Sequence, residues 1–148
     1  MTKRGKLRLL GRVRVARLRM RDHAAGEYAV AEAAEMAADE RRSDAEADVD
    51  DVKDAAIGKL PEARTVRVLW TLEHEHDLAV IQLREAEKAA QLARGESERQ
   101  RLLLARRARE LKTAEKVIDR TRKGLQRDEH RAEQRSNDDL ASRGRRDD

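Results

Sequence analysis

The chain has 148 residues, 43 % of them charged and 1 % aromatic, with no cysteine, one proline and a formal net charge of +4. Aromatic side chains normally supply much of the buried area of a compact domain, and without cysteine neither disulfides nor thiolate metal sites can form. Ala, Leu and Val must therefore provide what is buried, which suits a thin seam between helices and excludes a thick interior.

Residues 1–22 hold nine Lys/Arg against Asp22 alone. The arginines interrupt every short apolar run, unlike the continuous core of a signal peptide. Alternate steps of three and four then place Leu10, Val13, Arg17, Met20, Ala24, Glu27, Ala31, Ala34, Ala38, Arg41, Ala45, Asp48, Val52 and Ala55 on one stripe. Such a 3.5-residue period is that of helices that wrap around each other, and it predicts a helix over about 7–57. Residues 27–54 are acidic, with eleven Asp/Glu against Arg41, Arg42 and Lys53. Gly58 offers a left-handed cap and Pro61 cannot continue a helix, so a turn is expected at 58–64.

The second helix is expected over about 65–141, and its seam is stronger. The stripe runs Leu69, Leu72, His76, Ala79, Leu83, Ala86, Ala90, Ala93, Ser97, Gln100, Leu104, Arg107, Leu111, Ala114, Ile118, Thr121, Leu125, Asp128, Ala132. Residues 98–127 are basic, with eleven Lys/Arg against Glu98, Glu110, Glu115 and Asp119. The tail 142–148 has no pattern and is expected to fray. No stretch approaches the ~20 apolar residues that cross a bilayer. High charge with few aromatics also fits a disordered chain. The sustained register in a sequence rich in Ala, Leu, Glu and Arg argues against that.

These elements define an all-α fold of two long helices forming an antiparallel coiled-coil hairpin, one coiled-coil domain over 1–148. A parallel homodimer is the structural alternative, because heptads alone do not fix orientation. With the reversal at residue 61, the acidic block 27–54 should lie beside 68–95. The basic block 1–22 should lie beside 100–121, like charge against like, leaving a strongly basic open end.

Chemistry-bearing motifs are scarce. In the run Glu73-His-Glu-His-Asp77, His74 and His76 are two residues apart and point to different helix faces, so metal ligation is not expected. No glycine-rich phosphate loop, nucleophile elbow or Ser/His/Asp arrangement occurs, and neither an enzyme nor a cofactor is expected. The basic stretches 3–21 and 99–127 lack interleaved aromatics for base stacking, and the acidic block would repel a polyanion, so nucleic acid is not the expected partner. Trp70 stands beside Leu69 just past the turn, either as an interface anchor or packed over Leu60 and Ile57.

Three segments carry a resemblance to a known family. The C-terminal half contains Glu110-Leu-Lys-Thr-Ala-Glu-Lys-Val-Ile and, further on, Glu129-His-Arg-Ala-Glu-Gln-Arg-Ser-Asn-Asp-Asp-Leu140. The N-terminal half contains Leu10-Gly-Arg-Val-Arg-Val-Ala-Arg-Leu-Arg. With the mid-chain turn and the lone Trp after it, these resemble the FliJ/YscO family of flagellar and injectisome type III export. Arg135 and Asn137 depart from that family's Lys-x-x spacing. The resemblance implies a cytoplasmic coiled coil at the inner face of the cell membrane. Such a protein would couple the export ATPase ring to the cytoplasmic domain of the export gate and cycle export chaperones. It also implies ATPase-facing residues at Arg12, Arg14, Arg17, Arg107, Lys112, Arg120 and Arg122, and gate-facing residues at Leu69, Trp70, Glu73 and Asp77. The rival classes are a generic dimeric coiled-coil scaffold and a basic protein associated with nucleic acid.

Overall fold

The computed structural model describes residues 2–62 and 65–144, with side chains through 140. Residues 63–64 of the expected turn and 145–148 of the expected tail lie outside the described residues. Two long helices, α1 (Lys3–Lys59) and α2 (Val66–Gly144), pack against each other as an all-α antiparallel hairpin, with a 3-10 turn at Leu60–Glu62 between them.

Local chemistry sets the helix starts. Thr2 caps α1, its Oγ1 accepting a hydrogen bond from the Gly5 amide at 3.2 Å, which satisfies one of the free donors of the first turn. At the start of α2 the Thr65 carbonyl accepts from the amides of Val68 and Leu69 at 3.1 and 3.4 Å. Gly58 does not act as a left-handed cap: it continues α1, and no glycine among the described residues has positive φ. Glycine permits that conformation without compelling it, and here helical hydrogen bonding continues to Lys59. Pro61 falls in the 3-10 turn, where its missing N–H interrupts no long helix. At the other terminus α2 continues over 142–144, where fraying was expected.

The seam of α2 follows its expected register. Every seam position from Leu72 to Leu125 is buried or half-buried, while Leu69, Asp128 and Ala132 are exposed. The α1 register needs a correction. Leu10, Arg17, Ala24, Ala31, Ala38, Ala45 and Val52 do face the partner helix, but Met20, Glu27, Ala34, Arg41, Asp48 and Ala55 are exposed. Their places are taken one residue later by Arg21, Tyr28, Glu35, Arg42, Val49 and Ala56, all half-buried. Alanine methyls contribute little on either flank, so longer side chains decide. Val49 and the ring of Tyr28 offer more apolar area than Asp48 and Glu27, and Glu35 reaches across to Arg94, Oε1 to Nε 3.5 Å.

The helices are also paired further along than expected. Lys3 meets Asp128, Arg14 meets Glu115 and Glu35 meets Arg94. Each partner lies seven to nine residues beyond its expected place on α2, because α1 runs on to Lys59 and the 3-10 turn extends the reversal past Pro61. The basic block of α1 still lies beside a net-basic stretch of α2, in which Asp128 and Glu115 receive Lys3 and Arg14.

The chain divides into two compact units. The first, Met1–His23 with Leu104–Asp148, holds 23 Lys/Arg against 11 Asp/Glu, and the second, Ala24–Leu103, holds 11 against 19. In the basic unit Leu111 and Ala114 are buried, with Leu10, Val13, Arg17, Ile118 and Leu125 half-buried around them. In the acidic unit the buried seam residues are Ala24, Ala31 and Ala38 on α1 and Leu72, Ala79, Ala90 and Ser97 on α2.

Candidate functional site

The seven arginine and lysine candidates of the basic unit fall into two groups. Arg14, Arg17 and Arg107 have partners within the chain. Arg14 Nε lies 3.2 Å from Glu115 Oε1. Arg17 Nη1 donates to the Glu110 carbonyl oxygen at 2.6 Å, and Arg107 Nη1 donates to Glu110 Oε2 at 3.0 Å. Both Arg17 and Arg107 occupy seam positions, where a guanidinium is kept only if it finds acceptors. The hydrogen bond from Arg107, then that from Arg106, holds the Glu110 carboxyl below its ordinary range. Lys3 does the same for Asp128.

Arg12, Lys112, Arg120 and Arg122 are exposed and have no ion-pair partner among the described residues. Arg12 and Arg122 belong to a larger feature. Between the helices of the basic unit runs an open groove whose apolar lining is Leu7, Gly11, Val15 and Ile118 and whose flanks include Arg8, Arg12, Arg19 and Arg122. Arg8 and Arg19 are exposed, equally without an acidic partner among the described residues, and were missed in the sequence. Their signal was the 4-3-4 spacing of Arg8, Arg12, Val15 and Arg19, which places them on one helix face. That face acquires Ile118 and Arg122 only through the observed helix offset.

The gate-facing candidates all lie in the acidic unit and are all exposed. Leu69, Glu73 and Asp77 follow one another at four-residue spacing along α2, with Trp70 three residues before Glu73 on the same side. Leu69 and Glu73 share a hollow with Ile57, Leu60, Leu72 and His76. Trp70, 73 % exposed, lines another with Val66, Arg67, Thr71 and His74. Thus Leu69, not Trp70, shares the hollow with Ile57 and Leu60, and Trp70 is largely exposed to solvent. His76 is half-buried in the seam, its Nδ1 3.9 Å from Asp77 Oδ1. Among the described residues no three His, Asp or Glu side chains converge as metal ligands would, and no helix is long and apolar enough to cross a membrane.

Family models, curated proteins and solved structures were compared with this chain, and none matches.

Proposed function

We propose that this protein is a non-enzymatic coiled-coil adaptor of type III protein export, joining the export ATPase ring to the cytoplasmic domain of the export gate. The observation that carries the reading is charge segregation on an antiparallel hairpin, with 23 Lys/Arg against 11 Asp/Glu in one unit. The family resemblance supports the assignment of partners. The unpaired cations Arg12, Lys112, Arg120 and Arg122 are the ring-facing set. Arg14, Arg17 and Arg107 support the helix packing instead, because their charges already have partners. The exposed Leu69 and Trp70 face the gate.

Capture of the purified ATPase ring on the immobilised full-length chain tests this reading. The triple variant Arg12→Glu/Lys112→Glu/Arg120→Glu should retain its helicity and lose about tenfold in ring affinity, more at low salt than at high. Capture unchanged by that variant would remove the reading.

A dimeric scaffold is the second reading, favoured by the exposed apolar side chains of Val66, Trp70, Ile81 and Leu92 on α2. Sedimentation equilibrium separates the two, since the adaptor sediments as a single chain and the scaffold as a stable dimer.

A further inference from the structure

The groove of the basic unit is more specific than a charged surface. The space above Gly11 is open, since a Cβ built there would meet no heavy atom within 4 Å. Leu7 and Val15, one turn to either side of Gly11 on α1, border that space, and Ile118 borders it from α2. Val15 is 45 % exposed. The guanidinium groups of Arg8, Arg12, Arg19 and Arg122 stand around these apolar side chains without an ion pair among the described residues, while Arg14 of the same lining is paired with Glu115 and Asp119 borders Arg122. A mid-helix glycine weakens a helix relative to alanine, and nothing in the surrounding packing requires one at this position.

The geometry points to this groove as the docking site for an acidic amphipathic helix of a partner protein, one that sets a leucine-sized side chain above Gly11 and Glu or Asp residues against Arg8, Arg12, Arg19 and Arg122. Charge complementarity selects the occupant. A neutral helix would leave four guanidinium groups without acceptors. A nucleic acid would meet a floor of Leu7, Val15 and Ile118 with no aromatic residue to stack on. A second copy of this chain, whose acidic stretch exposes Met36 between Glu32 and Glu40 on one helix face, is the competing occupant that a self-association measurement addresses. The inference deepens the adaptor reading by naming the chemistry of the ring-side segment, and rests on that reading only for the partner's identity.

The test uses the full-length chain and a fluorescein-labelled 20-residue peptide with Leu at three- and four-residue spacing and Glu elsewhere, followed by fluorescence anisotropy. An all-Glu peptide of the same length and a single-stranded oligonucleotide serve as comparisons. The Leu/Glu peptide is expected to bind at least about tenfold more tightly than all-Glu. Two variants probe the two halves of the site. Arg8→Glu/Arg19→Glu should weaken the peptide by about thirtyfold. Gly11→Leu fills the floor while removing a helix-weakening glycine, so it should abolish binding without lowering helicity.

Equal affinity for the two peptides, stronger binding of the oligonucleotide, or full binding by Gly11→Leu would each overturn the proposal. So would salt-dependent self-association of the chain that the Arg8→Glu/Arg19→Glu variant abolishes, since a second copy would then occupy the groove. Peptide binding with no capture of the ATPase ring would leave the docking site standing and remove the adaptor reading. Ring capture with no peptide binding would do the reverse.

Discussion

The two units solve the same packing problem with different materials. The acidic unit closes its seam mostly with small side chains: Ala24, Ala31 and Ala38 of α1 and Ala79, Ala90 and Ser97 of α2 are buried, with Leu72 the one large side chain among them. Small side chains let two helices approach closely and exclude water with little apolar area. The basic unit uses fewer and larger residues, Leu111 foremost, and places Arg17 and Arg107 in the seam with Glu110 as their acceptor. Ion pairs that bridge its two helices join Lys3 to Asp128, Arg4 to Glu129 and Arg14 to Glu115. All three pairs are exposed, and exposed pairs contribute ~0–1 kcal/mol each. Close fit secures one unit, and individual large side chains secure the other.

This contrast is open to direct attack. The largest effect is expected from Leu111→Ala, which deletes the main buried side chain of the basic unit and should cost about 2–3 kcal/mol in urea unfolding followed by circular dichroism. A loss below about 1 kcal/mol would show that Leu111 is not what holds this unit. Ala31→Leu attacks the acidic unit from the opposite direction, forcing bulk into a close-packed site, and should cost about 1–2 kcal/mol. Stabilisation by that change would mean the alanine seam is loosely packed. Gly26→Ala, at an exposed position where an added Cβ meets nothing within 4 Å, should stabilise by about 0.5–1 kcal/mol.

The smallest effect concerns acid. Glu110 and Asp128 are held below their ordinary pKa by Arg107 and Lys3, so the folded state takes up protons less readily than the unfolded chain. Their contribution is present at neutral pH and lost as pH falls through the folded-state values. Amide exchange in the basic unit, corrected for intrinsic rates, should therefore quicken only as pH falls below about 4, under the ordinary carboxylate range. Unaltered protection there would rule out these pairs as contributors.

The legibility of the sequence followed side-chain size. The α2 seam from Leu72 to Leu125 could be read directly, because Leu72, Leu83, Leu104, Leu111, Ile118 and Leu125 leave one choice of stripe. On α1 two stripes, one residue apart, compete with similar alanine content. The outcome depended on Tyr28, Val49 and the reach of Glu35 to Arg94, which only the partner helix reveals. Helix pairing depended on how far α1 continued past Gly58, a residue whose freedom left that open. Half of the arginine groove was hidden for the same reason. Arg12 and Arg122 stood out as cations, but the neighbourhood of Gly11, Val15 and Ile118 exists only at the observed offset.

The exposure of Trp70 makes the chain's single indole a spectroscopic label already in place. Its emission should barely change when the helices melt, since water surrounds the ring in both states. It should shift towards the blue when a protein covers that patch. Intrinsic fluorescence is thus a poor thermometer for this molecule and a sensitive detector of its company.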